Sequence, residues 1–251
     1  MLNSIFSKVV RIKKYFFPTA HDKYLKKLHQ ERFFFYQQFI KKGDICFDIG
    51  ANIGDRTNIF LELGAKVVSV EPQQFCYEVL KKKFGNRITL IQKGVGSKNE
   101  TKDFFISNHN QLSTFSAEWI ETLKANRFKD SEWNEVEKVE IITLDSLIEH
   151  QGYPTFIKID VEGFELEVLK GLTQPFKYLS FEFAVPDNLN NLILCIEQLS
   201  NNYNAIEFNY AIMDNAFFAL KNWVTIDEIK EIIQSSNFIK NSAGDIYVKM
   251  N

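Results

Sequence analysis

The chain predicts an α/β protein built on a mainly parallel sheet with helices on both faces. Three observations point there. Short apolar runs alternate with helical stretches almost to the last residue, the pattern of consecutive βαβ units. The run at 45–49 breaks into a loop pinned by Gly50 and Gly54, and a helical stretch follows at 55–63. Acidic residues stand at or near the ends of several runs, at Asp48, Glu71, Asp160 and Glu182. In such a sheet those ends share one rim, and ligands bind there where the strand order reverses.

The elements follow in order. Residues 1–17 place Leu2, Ile5, Val9, Ile12 and Phe16 at helical spacing among Lys8, Arg11, Lys13 and Lys14. Such a basic amphipathic helix packs on its own domain or on a second copy, or leans on an anionic membrane surface. Residues 22–42 put Leu25, Leu28, Arg32, Phe35 and Phe39 on one stripe, and Gly43 ends it. The aromatic cluster at 33–36 makes this helix a brace or lid across the first strand. These 43 residues form a helical extension, and 44–251 a single domain without internal repeat or linker.

After the glycine loop come a strand at 65–70, a helix at 75–84, a strand at 88–92 and a loop at 93–96. Residues 103–106 and 137–143 have strand character and can pair. Between them lies a polar, Trp-containing insert at 108–134, a candidate lid or acceptor-binding segment carrying Phe115, Trp119, Phe128 and Trp133. A helix at 144–150, with Thr143 as its cap, precedes a strand at 156–160 and a helix at 162–170 closed by Gly171. A strand at 179–183, a helix at 189–201, a strand at 204–209, a helix at 226–235 and a strand at 245–249 complete the chain.

Glycine spacing narrows the ligand. A dinucleotide fingerprint needs G-x-G-x-x-G, because its second glycine admits a pyrophosphate. Asn52 occupies that position here, and no Gly-Lys-Ser/Thr of a phosphate loop follows. A nucleoside cofactor without phosphate suits the loop better. Asp48 then faces an amino-acid moiety, and Glu71 grips a ribose diol. S-adenosylmethionine has those parts. A nicotinamide oxidoreductase on a similar sheet is the rival reading, and a non-catalytic cofactor-binding interaction module is another.

Composition bounds the rest. With 251 residues and 45% apolar content the chain can bury a full core. No apolar run is long enough to span a bilayer, and no secretory leader opens the chain, so a cytoplasmic setting is expected. Cys46, Cys76 and Cys195 lack paired spacing, which argues against a disulfide framework or a zinc site. The net charge of −2 hides an asymmetry: the first 43 residues carry ten Lys/Arg against two acids, a net of +8, leaving −10 for the remainder.

Four blocks carry a family resemblance. They are Asp48-Ile-Gly-Ala-Asn-Ile-Gly54, Val70-Glu71-Pro72, Thr143-Leu-Asp-Ser-Leu147 and Ile157-Lys-Ile-Asp-Val-Glu-Gly163, the last followed by Glu165-Leu-Glu-Val-Leu-Lys-Gly171. Their order and spacing over residues 31–185 resemble the FkbM-type methyltransferases. The resemblance implies a class I (Rossmann-like) methyltransferase fold, a seven-stranded sheet with its last strand antiparallel. It also implies S-adenosylmethionine as cofactor and methylation of a sugar or natural-product hydroxyl. By position, Asp48, Gly50, Asn52 and Gly54 line the methionine part and Glu71 holds the ribose. Ala51, Pro72, Gly94 and Val95 belong to the same rim, and Asp160 stands beside the donor methyl.

Methyl transfer to a hydroxyl needs an aligned acceptor and a group to take its proton. Asp160 is the first candidate, with Glu162, Glu182 and His109 as alternates. Asp160 with Glu182 could instead hold a divalent cation, although no metal is assigned from the sequence. Architectural roles are also open, as a helix N-cap for Asp160 and a first-turn charge for Glu162. A small-molecule or glycan acceptor is expected, and no nucleic-acid partner.

Overall fold

Alternation along the strands decides how this molecule layers. In a strand successive side chains point to opposite faces, and in the central strands here both sets are buried. The computed structural model describes residues 19–213, 215–240 and 243–250. The basic helix expected over residues 1–17 lies outside them.

The first described helix, α1 (Ala20–Tyr36), starts at a capping box in which Thr19 and Asp22 satisfy each other's backbone N–H. It stops at Tyr36, short of the 42 expected, because a turn drops Phe39 and Ile40 into the core. The chain then forms β1 (Ile45–Ile49), α2 (Asp55–Glu62), β2 (Lys66–Val70), α3 (Gln74–Phe84) and β3 (Thr89–Ile91). Next come β4 (Gly94–Val95), β5 (Glu100–Ile106), α4 (Ala117–Ala125), β6 (Glu135–Ile142), α5 (Leu144–Gln151) and β7 (Phe156–Ile159). The remainder is α6 (Glu165–Lys170), β8 (Tyr178–Ala184), α7 (Leu189–Asn202), β9 (Ile206–Ile212), α8 (Ile226–Gln234), α9 (Ser236–Ile239) and β10 (Ala243–Met250).

Seven strands form one sheet in the order β3-β2-β1-β7-β8-β10-β9, and β10 runs antiparallel to both its neighbours. The order reverses between β1 and β7, the switch point of a class I methyltransferase sheet. One face carries Phe47, Ile49, Val70, Ile157, Ile159, Phe181 and Val248 into a core shared with α5, α6, α7 and α8. The other carries Cys46, Val67, Phe156 and Tyr247 against Phe35, Tyr36 and Phe39 and against Ile59 and Phe60 of α2. The Phe39 ring lies 5.3 Å from Phe156 and 5.9 Å from Tyr247, so α1 and its turn do brace the sheet.

A second sheet, β4-β6-β5, pairs the two expected strands antiparallel. The segment expected as a loop at 93–96 contributes β4, which runs parallel to β6. The helix expected from residue 162 begins only at Glu165, because Glu162 and Gly163 take left-handed φ values of 53° and 85°. Asp160 is therefore no N-cap, a place held by Phe164, and Glu162 lies outside the first turn.

Candidate active site

Strand register builds the site. Ile49 pairs with Val70 on one side and Ile159 on the other. The turns after β1, β2 and β7 thus start at one level and set Gly50, Glu71 and Asp160 side by side. Gly50 is obligatory: its φ is +77°, and a Cβ there would stand 1.8 Å from the Asp160 carbonyl oxygen. Gly54 has another task, since a Cβ there would strike Phe84 and Leu80. It packs α2 against α3 and does not line the cavity, contrary to the expectation from the family pattern.

Asp48 is buried at the end of β1 and accepts a 2.5 Å hydrogen bond from the Thr57 hydroxyl. Because Thr57 spends its one proton on that bond, Ser69 donates to Thr57 at 2.8 Å. Burial raises the Asp48 carboxyl above its ordinary range, against the opposing Thr57 bond. Glu71 accepts from the backbone N–H of Asn52 at 2.7 Å and of Gln73 at 2.8 Å, one to each oxygen. Burial still pushes its carboxyl up to about 7. Asn52, at φ +47°, accepts from the Asn110 amide at 2.8 Å, which ties the glycine loop to the insert.

The end of β7 carries a charge cluster. Lys158 is 1% exposed, and its ammonium donates to Asp245 at 2.8 Å and to Asp160 and the Ile159 carbonyl at 3.2 Å. Burial opposes its charge, but Asp160 and Asp245 outweigh burial and raise it above the ordinary lysine range. Asp160, Glu162 and Glu182 place carboxylate oxygens within 4.8 Å of one another, a set of hard donors that a divalent cation could use. Burial and the neighbouring Asp160 charge push both Glu162 and Glu182 well above the carboxylate range. Glu165 anchors the turn by accepting from Val161 N–H and Gly163 N–H, each at 3.2 Å.

These groups surround a cavity of about 560 Å³, of a size for a cofactor or drug-sized ligand. Asp48, Gly50, Ala51, Asn52, Glu71, Pro72, Gly94, Val95, Asp160, Glu162 and Glu182 all line it. His109 does not: it is exposed, and its backbone starts a 3₁₀ turn near the start of the insert. Leu112, Phe115, Trp119, Leu123, Arg127 and Phe128 of the insert form a wall, and Leu25, Leu28 and Arg32 of α1 reach the cavity from another element. Lys158, Arg56 and Asn110 also reach the cavity and went unnoticed in the sequence. A charged residue between isoleucines was the one signal that could have found Lys158.

The arrangement fits S-adenosylmethionine on its own chemistry. One end offers a buried carboxylate for an ammonium and a backbone turn kept bare by Gly50. Glu71 offers acceptors to a diol, and Ala51, Pro72 and Val95 supply apolar wall.

The family match agrees with this chemistry. The methyltransferase FkbM domain matches residues 48–238. The hexuronic acid methyltransferase AglP of Haloferax volcanii is 26% identical over 149 residues, 56% of this chain and 55% of the relative. The chain thus spans about half the length of that curated relative. Among solved structures, a TehB-like SAM-dependent methyltransferase from Corynebacterium glutamicum aligns with a TM-score of 0.46 at 7% identity, covering 99% of this chain and 97% of that one. Precorrin-6y C5,15-methyltransferase from Geobacter metallireducens aligns at 0.44 and 9%, covering 86% and 85%. The strand order and the rim are those of the class I methyltransferase fold, and the cavity's chemistry suits S-adenosylmethionine. The chain belongs to the FkbM methyltransferase family, which sets aside the nicotinamide reading. No helix among the described residues is long and apolar enough to cross a membrane.

Proposed function

We propose that this protein methylates an oxygen of a sugar acceptor, and that Asp160 takes the acceptor's proton. When bound, the cofactor supplies a methyl group already activated on sulfonium sulfur. The protein must then align the acceptor oxygen and remove its proton. Asp48 and the turn at Gly50–Asn52 would hold the amino-acid part, Glu71 the ribose, and Pro72 and Val95 the base. The relative's substrate makes a hexuronic acid the first acceptor to test.

One observation supports Asp160 over its neighbours. Its side chain is 37% exposed on the cavity wall and fixed by Lys158, whereas Glu162 and Glu182 are pushed toward their neutral, proton-bearing forms. Asp160→Asn should therefore lower turnover about a hundredfold, the scale of a lost general base, and leave the affinity for S-adenosylhomocysteine nearly unchanged. Transfer of labelled methyl to p-nitrophenyl β-D-glucuronide, with calorimetry of the same variant, checks both. Turnover at the wild-type rate would remove Asp160 from the chemistry. A protein that binds the cofactor but methylates no acceptor would support the non-catalytic module instead.

A further inference from the structure

We propose that Lys158, clamped by Asp245, is a positioning residue that fixes the Asp160 carboxylate for proton removal. The inference rests on the reading of Asp160 as base. Lys158 sits in a four-residue strand among Phe156, Ile157 and Ile159, all fully buried. Its ammonium has three protons, and each has an acceptor: Asp245 Oδ1, Asp160 Oδ2 and the Ile159 carbonyl.

The topology gives that arrangement its direction. Asp245 lies on β10, opposite Glu182 of β8, so Lys158 reaches past β8 to its anchor. The Asp245 side chain is 11% exposed, and that of Asp160 is 37%. One carboxylate is thus locked inside the sheet while the other stands at the cavity. The ammonium engages Oδ2 of Asp160 and leaves Oδ1 to the acceptor. A buried ion pair is a weak source of stability, because apolar residues of similar volume commonly replace one without loss. Its benefit here is the placement of Asp160.

The test pairs variants. Lys158→Met alone strands two carboxylates beside each other, so Lys158→Met/Asp245→Asn is used, which removes one charge of each sign. With labelled S-adenosylmethionine and p-nitrophenyl β-D-glucuronide, kcat should fall about a hundredfold, the scale of a reacting group displaced by about 1 Å. The KM for the glucuronide, the calorimetric affinity for S-adenosylhomocysteine and the thermal midpoint should stay near wild type. Asp245→Asn alone keeps an acceptor for Lys158 and should lose less, and it decides the matter if the double variant does not fold. Wild-type kcat in the folded variant overturns the positioning role, as does a fall in cofactor affinity that matches the fall in kcat. Wild-type kcat in Asp160→Asn overturns the base assignment instead. Wild-type protein that leaves the glucuronide unmethylated overturns the acceptor reading, and the positioning inference falls with it.

Discussion

Gly50 shows how tightly single residues are held at the rim. Any side chain there meets the Asp160 carbonyl at 1.8 Å and must also adopt φ +77°. Gly50→Ala should destabilise the fold by about 3 kcal/mol or more, since backbone strain and an unavoidable clash add. Urea unfolding measures it, and a midpoint equal to wild type would show that the turn can relax. Asp48, Glu71 and Asp160 were legible in the sequence because each stands at or near the end of an apolar run, and parallel register carries such residues to one rim. Lys158 was not. In the run Ile-Lys-Ile it reads as the outward side of a strand, and the partner that explains its burial lies 87 residues further on. Glu162 was assigned to a helix because nothing local announces a left-handed φ in a non-glycine residue. His109 was chosen by residue type, which carries no information about where a loop points.

Elements were easier to read than their ends. Periodicity located the seven strands of the main sheet and their helices, but α1 ended early because Phe39 and Ile40 gain more from burial under the sheet than from another helical turn. Within the insert the sequence showed polar residues with scattered aromatics. The structure brings Phe115, Trp119 and Phe128 to the cavity wall, with Phe128 still partly exposed. A bridge between Phe105 and Thr114 and the bond from Thr114 to the Glu162 carbonyl at 2.7 Å hold the segment down. Replacing residues 117–129 with a short Gly/Ser link should therefore raise the KM for a glucuronide at least about tenfold, as expected when a buried contact wall is lost. Affinity for S-adenosylhomocysteine should change little, because Asp48 and Glu71 stay in place. Steady-state kinetics beside calorimetry separates the two, and an unaltered KM would deny the insert a part in acceptor binding.

At the scale of the molecule, the rim makes stability depend on pH in an unusual direction. The Glu71 and Glu165 carboxyls are pushed up by burial to about 7, from an ordinary 4.5. The folded state binds their protons more tightly than the unfolded chain does. The stability they contribute is fully present below about 4.5 and is lost as pH rises through about 7. The thermal midpoint of the cofactor-free protein should respond to these two groups by falling between about pH 4.5 and 7.5. Glu71→Gln should flatten that fall, and scanning calorimetry of both proteins across the range would reject the claim if their slopes matched.

The central claim is that S-adenosylmethionine binds between Asp48 and Glu71, and titration calorimetry reaches it most directly. S-adenosylhomocysteine should bind the wild type with one-to-one stoichiometry, and NAD should give no heat. Asp48→Asn should weaken binding by about tenfold or more, since a charge-assisted bond to an ammonium contributes about 1.5–3 kcal/mol. Equal affinity in Asp48→Asn and wild type, or heat from NAD, would contradict the assignment of the rim.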